Sequence, residues 1–188
     1  MKILLAVIYG VFLSWNVNAL ELADIKLDDK VQLENTSLIL NGAGLRSIVF
    51  FKMYVIGLYL TEKQTSADAI LADNKPKRIA LHITVGEAGT ERFISGFRKG
   101  IEKNHSEAQL DLLRERMDAF AQMFKSIETV KRADVIAFDW SPVAGTLVTL
   151  NGKEIGRIAG EDFYRALLSI WIGNNPVTDG LKKELLGG

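Results

Sequence analysis

Two segments in the first half of the chain have the composition and periodicity of β-strands. Residues Lys52–Leu60 are apolar, aromatic and β-branched, which is typical of a strand that is buried on both faces. Residues Lys77–Val85 alternate between apolar and polar side chains, which is typical of a half-buried strand. The two segments predict that a β-sheet forms the framework of the fold.

The middle of the chain changes to helical periodicity. Thr90 can cap a helix in which Phe93, Phe97 and Ile101 recur every four residues and share one face. Ser106 can cap a second helix. The apolar stripe of that helix consists of Leu110, Leu113, Met117, Phe120 and Phe124. Both patterns predict amphipathic helices whose apolar faces pack on the sheet.

The chain then returns to strands before it ends in helices. Asp134–Trp140 is strand-like, and Asn151-Gly152 between Thr146–Leu150 and Glu154–Ile158 is a strong hairpin signal. A third helical pattern follows and stops near Gly173. The order predicts an α+β fold in which helices pack on one side of an antiparallel sheet. Since the chain has no internal repeat and no linker, we expect a single domain.

Composition excludes several classes of protein. The chain has 188 residues with 23 Lys+Arg and 23 Asp+Glu, and this zero net charge argues against nucleic-acid binding through bulk charge. It contains no cysteine, which excludes disulfides, thiolate nucleophiles and Cys-based zinc or iron–sulfur sites. With only His82 and His105, a multi-histidine metal site is excluded as well. We therefore expect no metal and no cofactor.

The first nineteen residues have the architecture of a secretory signal peptide. Lys2 supplies a positive charge, Ile3–Leu13 is mostly apolar, and Val17-Asn18-Ala19 has the small residues of a cleavage site. The apolar run is shorter than the roughly 20 residues of a membrane span. The sequence predicts cleavage after Ala19, a domain of residues 20–188 without a transmembrane segment, and a periplasmic or secreted location.

Arg46 is the strongest candidate for a functional residue. It follows Asn41-Gly42-Ala43-Gly44, which predicts a turn or irregular segment, and precedes the apolar strand 52–60. A guanidinium in such surroundings needs an anion, because an unpaired buried charge is costly. The anion is either a protein carboxylate in a structural ion pair or a ligand carboxylate or phenolate that is bound bidentately.

Three runs of residues occur in an order that identifies a family. The first is Leu40–Arg46 followed by Met53–Leu60, the second is Ser141-Pro142 with Gly145, and the third is Ala166–Gly173. Together they resemble the signatures of the chalcone isomerase superfamily. With the export signal, the chain most resembles the bacterial periplasmic chalcone isomerase-like proteins.

The resemblance implies an open-faced β-sandwich, in which a large antiparallel sheet carries a layer of helices and a cleft lies between them. In the plant enzymes the arginine at the position of Arg46 helps to bind and polarise a flavonoid. In the plastid fatty-acid-binding members the matching arginine binds the fatty-acid carboxylate. The enzymes also use a threonine, which is Tyr54 here, and a tyrosine, which falls near Arg92 or Phe93 here.

Because the arginine is kept and its catalytic partners are changed, binding suits the residues better than ring closure. The first hypothesis is a non-catalytic binder of an amphipathic anion such as a fatty acid, with a site formed by Arg46, Tyr54, Arg92, Phe93 and Phe97. The second is an isomerase, an intramolecular lyase that uses Arg46 and Tyr54. The third is a structural or interaction protein whose cleft is filled by its own side chains.

Overall fold

The computed structural model describes residues 20–188, so the predicted signal peptide lies outside the described residues. The strands are β1 (Leu20–Leu22), β2 (Ile25–Leu27), β3 (Lys30–Leu33), β4 (Thr36–Ile48), β5 (Phe51–Leu60), β6 (Lys77–Ile83), β7 (Glu87–Gly89), β8 (Thr129–Lys131), β9 (Val135–Ser141), β10 (Gly145–Leu150) and β11 (Lys153–Ile158). The helices are α1 (Ala67–Ala72), α2 (Thr90–Glu102), α3 (Glu107–Met123), α4 (Glu161–Ile172) and α5 (Asp179–Leu185).

Seven strands form one large sheet in the order β11-β10-β9-β6-β5-β4-β3. All the neighbouring strands are antiparallel. The predicted strands Lys52–Leu60 and Lys77–Val85 are the neighbours β5 and β6 at its centre. The predicted α+β class with a large antiparallel sheet is confirmed.

The helices cover one face of this sheet and build the larger core with it. This core contains side chains of all five helices and of the central strands, and its largest fully buried members are Trp171, Phe138 and Phe163. The apolar face predicted for α2 is confirmed, because Phe93, Phe97 and Ile101 are not exposed and belong to the same core.

The opposite face of the sheet carries a second, smaller core. Its buried residues come from β2 to β6 and are Leu27, Leu33, Leu38, Leu40, Ala43, Val55, Tyr59 and Ala80. Side chains of the N-terminal segment, including Leu22 and Ile25, pack against it. The opening stretch of the chain, which has no strong strand pattern, therefore forms β1 to β3 and covers this face.

Most of the predicted boundaries are confirmed, and one cap is displaced. Ser106 caps α3 in a capping box with Gln109, and Asn151 and Gly152 turn the β10–β11 hairpin with φ of 52° and 76°. The cap of α2 is Gly89, and Thr90 is the first helical residue. The Thr90 hydroxyl donates instead to carbonyl oxygens of the β8 region, at Ile127 and at Glu128.

The segment Asn41-Gly42-Ala43-Gly44, predicted to be a turn or irregular, does not form a turn, because it lies within β4; it does carry an irregularity, since the β4–β5 register shifts at Asn41. The glycines serve a close approach between β4 and α5. A Cβ atom at Gly42 would collide with the backbone carbonyls of Glu184 and Leu185, and one at Gly44 would collide with side chains of the same helix. The glycines of this segment therefore allow α5 to pack closely on β4.

Candidate functional site

A β-bulge at Asn41 decides which face of the sheet Arg46 occupies. Strands β4 and β5 pair from Leu40 opposite Tyr59 directly to Gly42 opposite Leu58, so Asn41 is an extra residue. Before the bulge, Leu40 points into the smaller core, and after it Ala43 does so. Gly42 and Gly44 face α5 on the helix side. Because side chains alternate along a strand, the bulge places Arg46 on the helix side as well.

The bulge is held by the side chain of Asn41, which is buried. Its Nδ2 donates to the carbonyl oxygens of Gln64 at 2.9 Å and of Leu185 at 2.8 Å. Its Oδ1 accepts from the backbone N–H of Gln64 at 2.8 Å. One amide side chain thus ties β4 to the loop after β5 and to the end of α5. Sequence reasoning missed this role, because it interpreted Asn41 only as part of a turn or irregular segment.

Arg46 and Tyr54 are direct cross-strand partners at one end of the β4–β5 pair. Both line a cleft of about 280 Å³ between the sheet and α2, which is just below the range of about 300–1,000 Å³ for small-molecule sites. The cleft is lined by Arg46, Ile48, Met53, Tyr54, Arg92, Phe93, Gly96, Phe97, Lys99, Gly100, Lys103, Ile170, Asn175 and Val177. The structure thus brings together all five site residues named from the sequence.

The charged side chains of the cleft all have the same sign. Within residues 20–188, its lining contains four cations, Arg46, Arg92, Lys99 and Lys103, and no aspartate, glutamate or histidine. Arg92 and Lys99 lie on one face of α2, because they are seven residues apart, and the C-cap residue Lys103 follows Lys99 by four residues. Sequence reasoning missed the two lysines, although this spacing from Arg92 was a signal for them.

Arg46 has no internal counter-ion in the part of the chain that the structure describes. No carboxylate of residues 20–188 lies within 4.0 Å of its guanidinium nitrogens. Its Nη1 donates to the carbonyl oxygen of Ser47 at 2.6 Å. The other N–H groups of the guanidinium remain available to another acceptor. The Arg46 side chain is only partly buried, so water solvates part of its guanidinium group.

Tyr54 is a buried phenol that keeps its proton. Its hydroxyl oxygen accepts a hydrogen bond from Trp171 Nε1 at 3.0 Å. Burial raises the pKa of Tyr54, and the hydrogen bond from Trp171 and the charge of Arg46 offset this only in part. Among residues 20–188 the hydroxyl accepts this hydrogen bond and donates none. Sequence reasoning did not find Trp171.

The side chains of the cleft combine hydrogen-bond donors with an apolar wall. A guanidinium and a phenolic O–H can donate hydrogen bonds to a carboxylate, a phenolate or a carbonyl oxygen. None of the lining side chains is a carboxylate or an imidazole that could accept a proton near neutral pH. The aromatic and aliphatic lining residues offer an apolar wall next to these donors. The arrangement can bind a molecule with one anionic end and one apolar end.

Metal-binding clusters and membrane-spanning helices are both absent from residues 20–188. In that part of the chain there is no group of three or more His, Cys, Asp or Glu side chains that could hold a metal ion. Within the same residues, every helix is too short or too polar to cross a membrane.

Comparisons with known proteins place this architecture in a family. A search of curated proteins gives no significant match. Among solved structures, a fatty-acid binding protein of Arabidopsis thaliana is similar, with a TM-score of 0.70 and 16% identity over 87% of this chain and 92% of that chain. The sequence model described as chalcone isomerase-like matches residues 19–187, which is nearly the whole described chain. The chain belongs to the chalcone isomerase-like family.

Proposed function

We propose that this protein is a non-catalytic binder of an amphipathic anion such as a fatty acid. Arg46 and the Tyr54 hydroxyl hold the carboxylate, and the apolar wall formed by Phe93, Phe97 and the neighbouring aliphatic side chains receives the tail. The observation that carries the proposal is the guanidinium of Arg46, which faces an open cleft without a carboxylate partner in residues 20–188. An internal ion pair would have left nothing to bind a ligand anion.

Other features support the same ligand class. Arg92, Lys99 and Lys103 add positive charge at the cleft without an acidic side chain in its lining, and this field favours anions. The cleft is open, which argues against a structural protein that fills it with its own side chains. The structural neighbour from Arabidopsis thaliana is itself a fatty-acid binding protein. Its fold is shared over most of both chains, so the fold is compatible with this ligand.

The test is a titration of delipidated protein with cis-parinaric acid, a fluorescent fatty acid. Arg46→Ala should weaken binding about ten- to a hundredfold, because it removes a charge-assisted bidentate contact worth about 1.5–3 kcal/mol. Arg46→Lys should recover only part of the loss, since an ammonium cannot reproduce the fork geometry. Arg132→Ala is the matched control, because it removes an exposed arginine that does not line the cleft.

Urea unfolding of the same ligand-free proteins distinguishes a binding arginine from a structural one. Arg46→Ala should be about as stable as the wild type, since no internal partner is left behind. A loss of about 3–5 kcal/mol would indicate a stranded buried carboxylate. Such a loss, together with no binding of cis-parinaric acid by the wild type, would contradict the proposal.

The isomerase alternative has one observation in its favour, which is that the protonated Tyr54 hydroxyl lies beside Arg46. Two such donors could polarise a ketone. Ring closure of a chalcone by the wild type, lost in both Arg46→Ala and Tyr54→Phe, would establish catalysis and replace the binder hypothesis.

We also propose that the protein acts outside the cytoplasm after removal of residues 1–19. The apolar segment and the small residues before Ala19 support this proposal. N-terminal sequencing of the exported protein should give Leu20 or a residue close to it. A chain that still begins at Met1 in the exported fraction would contradict the prediction.

A further inference from the structure

The tip of the β4–β5 hairpin exposes a continuous apolar segment. Of the seven large hydrophobic side chains that are exposed in residues 20–188, four are consecutive, namely Ile48, Val49, Phe50 and Phe51. Phe50 is 94% exposed and Phe51 is 68% exposed. Single exposed apolar residues are ordinary on a protein surface, whereas a contiguous group usually marks an interaction site.

The tip contains a backbone conformation that is unfavourable for its residues. Ile48 and Phe51 are the last paired residues, so Val49 and Phe50 form a two-residue turn. Val49 has a φ of 54°, a conformation that hairpin turns usually assign to glycine or asparagine and that is strained for a β-branched residue. A polar Asn-Gly turn would remove both the strain and the exposed apolar surface. Folding therefore does not explain the choice of residues.

Cations flank the tip along the chain and line the adjoining cleft. Residues 35–61 contain no aspartate and no glutamate, and their cations are Arg46 and Lys52, one on each side of the turn. Lys52 is exposed and pairs across the hairpin with Ser47. Ile48 lines the cleft together with Arg92, whose side chain is exposed on α2. Arg46, Lys52 and Arg92 are called the cationic collar of the tip below.

We propose that the segment 48–51 docks the protein on an anionic lipid bilayer. Exposed Phe side chains insert at the boundary between head groups and acyl chains, while Lys and Arg beside them bind acidic head groups. A second copy of this chain fits less well, because a symmetric contact between two tips would bring like charges together. The charge pattern therefore favours a surface that is both apolar and negative.

Docking would place the mouth of the cleft at the membrane surface. Ile48 belongs to the tip and to the lining of the cleft, so the two sites are continuous. An amphipathic molecule could then pass between the bilayer and the cleft without crossing water. The docking proposal itself does not depend on the ligand, because the tip and its collar exist whichever molecule the cleft binds.

Vesicle co-sedimentation tests the proposal with the full chain as the host processes it. The vesicles contain either phosphatidylcholine alone or phosphatidylcholine with phosphatidylglycerol. The wild type should bind the anionic vesicles, bind them less well at high salt, and bind the neutral ones weakly. The double variant Phe50→Ser/Phe51→Ser should bind anionic vesicles at least about tenfold more weakly, since two inserted aromatic side chains are lost.

Val143→Ser is the matched control, because Val143 is 95% exposed on the β9–β10 turn and is not part of the tip. It should bind vesicles like the wild type. Lys52→Glu should weaken binding to anionic vesicles and leave the weak binding to neutral vesicles unchanged. Since the N-terminus is the same in all these proteins, residues 1–19 contribute equally to each.

Three results would overturn the docking proposal. They are no binding of anionic vesicles by the wild type, unreduced binding by the double variant, and a wild-type dimer in sedimentation velocity that the double variant dissociates. The last result would assign the tip to an interface between copies of the chain. Binding of cis-parinaric acid by the double variant should equal that of the wild type. This separates failure of docking from failure of the proposed ligand site.

Discussion

Replacement of Phe97 by alanine is expected to lower the free energy of unfolding by about 3–5 kcal/mol, which is the range for large aromatic side chains removed from a core. Phe97 projects from α2 and is almost fully buried. Its ring lies 5.7 Å from the rings of Phe120 and Phe138, 5.9 Å from Trp171 and 6.3 Å from Phe93. These rings come from the sheet and from three helices, so a cavity at Phe97 weakens several contacts at once.

The magnitude should fall near the lower end of that range. One side of Phe97 borders the cleft, and solvent or a neighbouring side chain can occupy part of the space that the ring leaves. Urea unfolding monitored by tryptophan fluorescence measures the effect. Phe50→Ala is the control, because it removes the same side chain from a site that is 94% exposed and should change stability by less than about 0.5 kcal/mol. An unchanged midpoint for Phe97→Ala would mean that α2 does not pack through this face.

The central part of the fold can be predicted from the sequence. Strands β5 and β6 follow from their apolar and alternating patterns, because a half-buried strand must show a period of two. The apolar stripes predict α2 and α3, because each helix buries one face on the sheet, and Ser106 also marks the start of α3. These signals are local, since each depends on residues that are neighbours along a strand or a helix.

The elements that sequence reasoning missed depend on partners distant in the chain. Strands β1 to β3 are short, and their burial comes from packing on the second face of the sheet. Asn41-Gly42-Ala43-Gly44 has the composition of a turn, yet it stays extended because α5 needs close access to β4. Only the position of α5, about 140 residues later, distinguishes the two outcomes.

The candidate site, like the fold, could be predicted from the sequence only in part. Arg46 stands out, because a charged residue between a glycine-rich segment and an apolar strand requires an explanation. The partner of Tyr54 does not stand out, because Trp171 lies in a helix 117 residues away and its apolar surroundings suggest only a core residue. The absence of acidic residues from the cleft is a property of the assembled lining, to which β4, β5 and α2 contribute.

The bulge at Asn41 leads to the second large effect that we expect. Asn41→Ala should destabilise the protein by roughly 2–4 kcal/mol, because it leaves the N–H and C=O of Gln64 and the C=O of Leu185 without their partner. The estimate is less than the full cost of three buried groups, because two of these hydrogen bonds are only partly buried. Gln32→Ala, which removes an exposed hydrogen bond to the carbonyl of Glu34, is the control and should cost less than about 0.5 kcal/mol.

The same variant should also weaken ligand binding, for a reason that differs from that of Arg46→Ala. A strand that slips by one residue turns all its side chains to the other face, so the amide that holds the bulge also holds Arg46 on the helix side. We therefore expect Asn41→Ala to lose stability in urea and affinity for cis-parinaric acid together, whereas Arg46→Ala loses affinity alone. Wild-type stability in Asn41→Ala would show that the bulge persists without its side-chain bonds. The position of Arg46 in the cleft would then be determined by strand pairing and by the packing of α5 on Gly42 and Gly44.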